Sequence, residues 1–280
     1  MKYVKSPLNY VGGKFKLLPQ ILPLFPNKIN TFIDLFSGGS NVAVNVNANK
    51  YLINDTETEV IRLIDYIFKT DLSEMLDKIQ SYIDSYHLDR VNKDGYLKLR
   101  SDYNADKLNR HPLHFYTLVC HAFSNQIRFN SNNEFNMPFG KRTFNDKLKI
   151  RFIEFVEKIK TLEIHTSNLD FRDMESYINN EDFVYCDPPY LIATAAYNEQ
   201  NGWTEQDEID LLSLLDRLNA ENTKFALSNV LVHKGKTNQV LTDWSKKYNI
   251  HYLNNSYANC NYQTRDKKKD STMEVLITNY

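Results

Sequence analysis

Two hydrophobic periods recur along this chain and predict an α/β fold. Apolar residues at helical spacing occupy 60–68 and 72–79, and a capped amphipathic helix is predicted over 204–218. Short runs with the length and residue types of buried strands lie at 31–36, 50–55, 162–166, 183–186, 225–228 and 274–277. We therefore predict a sheet flanked by helices, with a largely helical segment at 57–165 between its early and late strands.

The apolar run at 183–186 stops abruptly in Asp187, Pro188, Pro189 and Tyr190. Because prolines cannot continue a strand ladder, the backbone must leave the sheet in a rigid turn at the strand's carboxyl end. Open α/β sheets bind their ligands at those ends. An acid, a fixed prolyl carbonyl and an aromatic ring presented together there indicate a site for a flat, polar substrate.

Methylation of an exocyclic amino group fits this set of residues. Such an amine is a poor nucleophile, because its lone pair is delocalised into the base. Asp187 and the Pro188 carbonyl can each accept one amino hydrogen and draw the nitrogen towards tetrahedral geometry, while the Tyr190 ring stacks on the base. A proton leaves only as the nitrogen becomes cationic, so Asp187 is expected to be an acceptor and positioner rather than a strong base.

Two earlier strand ends predict a nucleotide site. The run at 31–36 ends at Ser37-Gly38-Gly39-Ser40, and the apolar positions of 42–46 predict the start of a buried helix. The run at 50–55 ends in Asp55, whose carboxylate can bind ribose hydroxyls. A nicotinamide cofactor also uses this arrangement, but the third glycine of G-x-G-x-x-G is missing here. A nucleoside methyl donor therefore fits better.

A glycine turn near the start of the chain carries a ring and a cation. Tyr10, Gly12, Gly13 and Lys14 place both side chains on a tight loop. Such a loop can clamp an anionic, partly aromatic ligand, although the residues alone also allow an ordinary N-terminal turn.

Together these blocks resemble the Dam-like class of adenine-specific DNA methyltransferases, which carry the D-P-P-Y tetrad. The resemblance implies a Rossmann-like fold that uses S-adenosylmethionine, with the family's aromatic-x-Gly-Gly-Lys loop at residues 10–14 and its catalytic tetrad at 187–190. It also implies a set of donor-binding residues: Tyr10, Lys14, Asp34, Phe36, Gly38, Ser40, Asp55, Asp170, Phe171 and Asp187. This chain departs from the family pattern at Tyr10, where tryptophan is usual, and at Ser40, where glycine often stands.

Alternating segments around Ser131-Asn132-Asn133 predict a β-hairpin within residues 126–142. Its R-F-N and F-N-M-P-F-G sequences match a block of the same family, which implies contacts with base edges and phosphates. The DNA-binding residues predicted there are Arg128, Asn130, Lys141 and Arg142. The resemblance thus divides the chain into a discontinuous catalytic domain, residues 1–56 and 166–280, and a target-recognition insert, residues 57–165.

Two further segments are predicted to approach the DNA. Residues 191–202 are expected to form a loop that closes over the flipped base. Residues 262–270 match a variable basic loop of the family, and contact with phosphates or simple solvation are both open for it.

Charge and cysteine content narrow the setting. The 280 residues carry a net charge of −1, yet residues 1–33 hold five lysines and no acid, which allows a local basic surface. Three widely spaced cysteines and histidines without metal-ligand spacing predict neither a disulfide framework nor a metal site. No signal-peptide core or membrane-length apolar run occurs, so we expect a cytoplasmic protein that is not bound to a membrane. The resemblance implies a bacterial protein or one that a phage encodes.

The resemblance therefore implies a site-specific methyltransferase that modifies adenine N6 in double-stranded DNA. The target base must be flipped out, because an amino group inside a duplex cannot reach both Asp187 and the methyl donor. An RNA amino-group methyltransferase, or a non-catalytic DNA-binding protein that retains the fold, are the alternatives. A restriction-modification system, a phage or a host chromosome would each suit such an enzyme.

Overall fold

A computed structural model describes residues 2–10, 12–192, 202–254 and 272–280 of the chain. The strands in these ranges are β1 (Thr31–Asp34), β2 (Lys50–Asn54), β3 (Ile164–Ser167), β4 (Phe183–Cys186), β5 (Lys224–His233), β6 (Lys236–Thr237), β7 (Asn249–Leu253) and β8 (Thr272–Thr278). The α-helices are α1 (Leu18–Ile21), α2 (Thr58–Lys69), α3 (Leu72–Ser85), α4 (Lys93–Ala105), α5 (Pro112–His121), α6 (Asp146–Ile159), α7 (Glu205–Ala220) and α8 (Gln239–Ser245). None of the helices in these ranges is long and apolar enough to cross a membrane.

The strands form one sheet in the order β3-β2-β1-β4-β5-β8-β7, with β6 paired to β5. Strands β1 to β5 run parallel, whereas β8 is antiparallel to both β5 and β7. Strand β1 lies between β2 and β4. The chain adds β2 and β3 on one side of β1, and β4 and β5 on the other, so the strand order reverses between β1 and β4. Ligands of open α/β sheets bind at such a switch point, outside the carboxyl ends of the strands. The predicted Rossmann-like fold is confirmed.

Strand β4 shows how the sheet divides two apolar cores. Phe183 and Tyr185 pack into the larger core, which includes apolar residues of α2 to α6, while Val184 and Cys186 pack against α7 and α8 on the other face. All four side chains are buried, as expected for a strand covered on both faces. The helices of the predicted insert therefore share a core with the sheet. Strand β3 begins at Ile164, just before the expected domain boundary.

One predicted element is wrong. The apolar positions after the glycine turn form only a single 3-10 turn, Ala43–Asn45, and Val46 is already extended. The Asn45 amide donates to Asn41 O (2.8 Å) and Val4 O (2.7 Å), and its oxygen accepts from Val4 N (2.8 Å). These bonds tie the turn to the N-terminal segment, and the β-branched valines add little helix propensity. The predicted nucleotide site therefore lacks a helix N-terminus.

Candidate active site

The loops that follow β1, β2 and β3 are bonded together at the carboxyl edge of the sheet. Leu35 N donates to Tyr185 O of β4 (3.0 Å). The Asn54 amide donates to Leu35 O (3.1 Å) and Leu169 O (3.0 Å). Four carboxylates that follow or end neighbouring strands come to this edge as a result: Asp34, Asp55, Asp170 and Asp187.

The glycine turn, the ribose-site carboxylate and the N-terminal loop meet at Gly38. Its N–H donates to Asp55 Oδ2 (2.7 Å), and its φ is +46°. A Cβ added there would lie 3.0 Å from Tyr10 Cδ1. Both the backbone conformation and the close Tyr10 ring therefore favour glycine at this position. The structure thus brings three of the predicted donor-binding residues, Tyr10, Gly38 and Asp55, into contact.

Ser40, one of the two departures from the family pattern, has a strained backbone conformation. Its φ is 59°, a left-handed conformation that costs a non-glycine residue about 1–2 kcal/mol. The side chain is fully buried, and its Oγ has no hydrogen-bond partner within the part of the chain that the structure describes. Glycine, which often stands here in the family, would avoid the backbone strain.

An aromatic cluster stands beside the glycine turn. The rings of Phe36, Phe171 and Trp203 have pairwise centroid distances of 5.6 Å. The predicted Phe171 thus lies beside the predicted Phe36. The carboxylate of Asp170 faces outwards and pairs with Arg172 (3.1 Å), which also pairs with Asp207 and Asp210. Of the two residues predicted together, Phe171 therefore lies in the aromatic cluster. Asp170 lies in an ion-pair network at the surface.

The catalytic tetrad and the N-terminal loop are joined through Lys14. Its Nζ lies 2.7 Å from Asp187 Oδ1, bonds the Tyr190 hydroxyl and donates to Gly12 O (3.1 Å). The ammonium also lies 5.0 Å from the centroid of the Tyr190 ring. The Tyr190 hydroxyl donates to Asp187 Oδ1 (3.1 Å). Although 176 residues separate Lys14 from Tyr190, one loop and one strand end form a single site.

The site concentrates negative charge in a buried place. Burial raises the pKa of Asp187, and Lys14 opposes that effect. Burial, and then Asp187 and Asp55, raise the pKa of Asp34 well above its usual range. Asp34 is 1% exposed, and its Oδ1 has no hydrogen-bond partner among the described residues.

The predicted hairpin follows α5, but it is held by isolated bridges rather than by a regular ladder. Phe129 pairs with Phe135 and Ala122 with Phe139, both antiparallel. The turn closes on Asn130, whose side-chain oxygen accepts from Asn132 N (3.0 Å) and Glu134 N (2.9 Å). Asparagine side chains commonly close turns in this way.

The four predicted DNA-binding residues differ in their surroundings. Arg128 Nε donates to Asn136 Oδ1 (2.7 Å) across the hairpin, and Asn130 also bonds Glu134. Lys141 and Arg142 are exposed beyond the hairpin, and the Lys141 backbone has a φ of 49°. In this structure the first pair shapes the hairpin and the second pair faces solvent. Contact of any of the four with DNA remains a prediction.

Comparison with known proteins identifies the family. A family model for the D12 class of N6 adenine-specific DNA methyltransferases matches residues 10–259. The chain belongs to this family. The Type II methyltransferase M.FokI of Planomicrobium okeanokoites is 47% identical over 285 residues, which cover 99% of this chain and 43% of that protein. The modification methylase StsI of Streptococcus sanguinis is 43% identical over 288 residues, covering 100% of this chain and 43% of that protein.

A DNA adenine methylase of Haemophilus influenzae is 30% identical over 187 residues, or 65% of this chain and 63% of that protein. The chain therefore spans less than half the length of M.FokI and StsI. The family match confirms the predicted resemblance to adenine-specific DNA methyltransferases.

Two residues that the sequence motifs did not indicate hold parts of the molecule in place: Glu274 lies beside Lys14 and Tyr190, and Arg110 lies at the hairpin turn. Glu274 of β8 lies 3.5 Å from Lys14 Nζ and 3.4 Å from the Tyr190 hydroxyl. Arg110, before α5, donates to Asn133 O at the hairpin turn (2.6 Å) and lies 3.5 Å from Glu59 of α2. The available signal for Glu274 was a single charged residue within an otherwise apolar strand.

Two segments that were predicted to approach the DNA lie partly or wholly outside the described residues. Residues 193–201, in the loop expected to close over the base, lie outside the described residues, and so does the whole basic segment 262–270.

Proposed function

We propose that the protein transfers the methyl group of S-adenosylmethionine to N6 of a flipped adenine in double-stranded DNA. The observation that carries this proposal is the position of Asp187 at the β1/β4 switch point, beside Asp34 and joined to Tyr190 and Lys14. Open α/β sheets bind ligands at that point.

The residues at the sheet edge fit the proposed donor. S-adenosylmethionine would supply an electrophilic methyl group on a sulfonium. Asp55 would hold the ribose hydroxyls, and the apolar wall of Phe36 and Phe171 would contact the donor's adenine ring. The Asp34 carboxyl group, whose Oδ1 has no hydrogen-bond partner among the described residues, favours a positively charged ligand nearby. We infer that the transfer needs no metal, because the sulfonium already activates the methyl group.

The target amine would meet Asp187 and the Pro188 carbonyl as hydrogen acceptors, with the Tyr190 ring against the base. Burial raises the pKa of Tyr190 well above its usual range, so its hydroxyl keeps its proton and can donate to Asp187. We propose that residues 57–165 recognise the target sequence and that residues 1–56 and 166–280 perform the transfer.

A direct assay tests this function. The 280-residue protein is incubated with unmethylated plasmid and S-adenosylmethionine, and modified adenines are then mapped by direct sequencing. We expect methylation at one short sequence motif. The same assay with RNA tests the RNA alternative, and donor binding without transfer to either substrate would indicate a binding protein instead.

The role of Asp55 can be measured by calorimetry. Asp55→Ala is expected to weaken donor binding by about 1.5–3 kcal/mol, the usual contribution of a hydrogen bond to a charged group. Asp55→Asn should have a smaller effect, because an amide oxygen can still accept from Gly38 N. Asp77→Ala, at an exposed position of α3, is the matched control. Unchanged donor affinity in a folded Asp55→Ala variant would contradict the assignment.

The exposed residues after the hairpin should separate base reading from phosphate binding. Arg142→Ala is expected to relax specificity at one base position at a cost of about 1–3 kcal/mol. Lys141→Ala should weaken binding to all sequences equally and lower the salt slope by about one. Each variant is compared on cognate duplexes and on all single-base variants at two salt concentrations.

Arg128 gives a further comparison within the same experiment, because its guanidinium also holds Asn136. Both Arg128→Ala and Arg142→Ala could lose affinity equally for all DNA sequences, with unchanged specificity at every base position. That result would show that the hairpin contacts only the DNA backbone and that other residues recognise the bases.

A further inference from the structure

A buried carboxylate stands behind the catalytic tetrad. Glu274 is 3% exposed and lies in β8, between the antiparallel neighbours β5 and β7. Acids are almost never fully buried unless they are paired. Two groups of the site lie close to it: Lys14 Nζ at 3.5 Å and the Tyr190 hydroxyl at 3.4 Å, both measured to Oε1.

The ammonium of Lys14 thus lies between two carboxylates. Asp187 is the nearer one at 2.7 Å, and the Lys14 side chain is 2% exposed, so water screens the three charges weakly. The Tyr190 hydroxyl also lies within reach of both acids. The described contacts of Asp187 with Lys14 and Tyr190 both go through Oδ1.

We propose that Glu274 is a positioning residue for methyl transfer: it shares the Lys14 ammonium with Asp187 and fixes the Tyr190 hydroxyl, so that Asp187 remains a strong acceptor for the amino group. This inference rests on the proposed function of the site. It adds a residue of β8 that acts through Lys14 and Tyr190.

The physical reason lies in how one cation divides between two anions. If Glu274 were neutral, Lys14 would pair with Asp187 alone and withdraw more of its negative charge. The carboxylate would then accept an amino hydrogen less strongly. The second acceptor of the Tyr190 hydroxyl would then be a neutral oxygen, which binds it less strongly and would loosen the ring that is proposed to hold the base.

The same arrangement fixes the direction of a pH effect. Burial raises the pKa of Asp187, Lys14 lowers it, and Glu274 raises it as a like charge. Other ionisable groups act on this part of the site from β1, from β4 and from the turn after it: Asp34, Tyr185, Cys186 and Tyr190. Removal of the Glu274 charge alone therefore lowers the pKa of Asp187.

The first test does not depend on catalysis. Protein labelled with 13C at the aspartate carboxyl carbons is titrated by NMR, and the Asp187 signal is assigned with Asp187→Asn. We expect Glu274→Gln to move the Asp187 titration to lower pH. Glu208→Gln alters another fully buried glutamate, bonded to Asn229 and Asn238, and should leave that titration in place.

The second test measures turnover on DNA against pH. In Glu274→Gln we expect the plateau kcat to fall about ten- to hundredfold, with donor and DNA affinities within about twofold. We expect the acid limb of the same profile to move to lower pH. A merely structural role would lower the amount of active protein without moving that limb.

Glu274→Asp keeps the charge at a longer distance from Lys14 and tests the proposal if the glutamine variant does not fold. It should shift the Asp187 titration in the same direction but less. A titration identical to that of the wild type in either folded variant would overturn the proposal. Failure of the proposed function has a different signature, namely a wild-type protein that methylates no DNA.

Discussion

Replacing Asp187 with alanine is expected to lower turnover by about 100-fold or more, while S-adenosylmethionine and DNA still bind within about tenfold. The lost carboxylate acts mainly on the amine as it becomes cationic, and its predicted part in donor binding is the smaller effect. The variant should fold, because Lys14 keeps Glu274 as a counter-ion. Single-turnover kinetics with separate binding titrations measure both expectations.

A control on the same strand makes this result specific. Asp182, just before β4, is 7% exposed and accepts from Asn179 N (2.8 Å), far from the carboxyl edge of the sheet. Asp182→Asn should leave turnover near the wild-type value. More than a few per cent of wild-type turnover in Asp187→Ala would show that the amine is activated by another group.

The pH dependence of the wild-type enzyme follows from the same carboxylate. Transfer needs Asp187 ionised, and its pKa is raised by burial and by Glu274. Turnover should therefore fall as the pH drops through that raised pKa, at a higher pH than an exposed aspartate would give.

The strand ends of the site could be predicted because they depend on local sequence. A strand covered on both faces is apolar at every position, so a carboxylate that follows it marks the point where the chain reaches the edge of the sheet. Asp34, Asp55 and Asp187 each end or follow such a run. The glycine turn could also be predicted, because glycine is favoured where the backbone has a positive φ, as Gly38 does.

The remaining features depend on partners that are distant in the chain. Asn45 ends its helical turn by bonding Val4, which lies 41 residues away. Arg110 supports the hairpin through the backbone of Asn133. The local sequence around one residue of such a pair does not indicate the other residue, because the two meet only in the folded chain.

Glu274 illustrates the same limit within the site. Its apolar strand was predicted, but the meaning of its one charge depends on Lys14, at the opposite end of the chain. The motifs thus identified the groups proposed to contact the ligands, whereas the groups that hold them in place needed the folded structure.

Lys14→Met is expected to destabilise the protein by about 3–5 kcal/mol, the usual loss when one member of a buried ion pair is removed. The variant leaves Asp187 and Glu274 close to the same buried space without their shared cation. Denaturant unfolding at several pH values measures the effect. Lys16→Met, an exposed position two residues along the chain, should change the free energy of unfolding by no more than about 0.5 kcal/mol.

The pH dependence of that loss distinguishes charge from shape. Lys14 lowers the pKa of Asp187, so its removal raises that pKa further above the value in the unfolded chain. The folded state then takes up a proton at higher pH than the unfolded state, and the destabilisation should shrink as the pH falls. A loss that is equal at all pH values would indicate a packing defect instead. The double variant Lys14→Met/Glu274→Gln should be more stable than Lys14→Met alone, because the neutral glutamine no longer repels the Asp187 carboxylate.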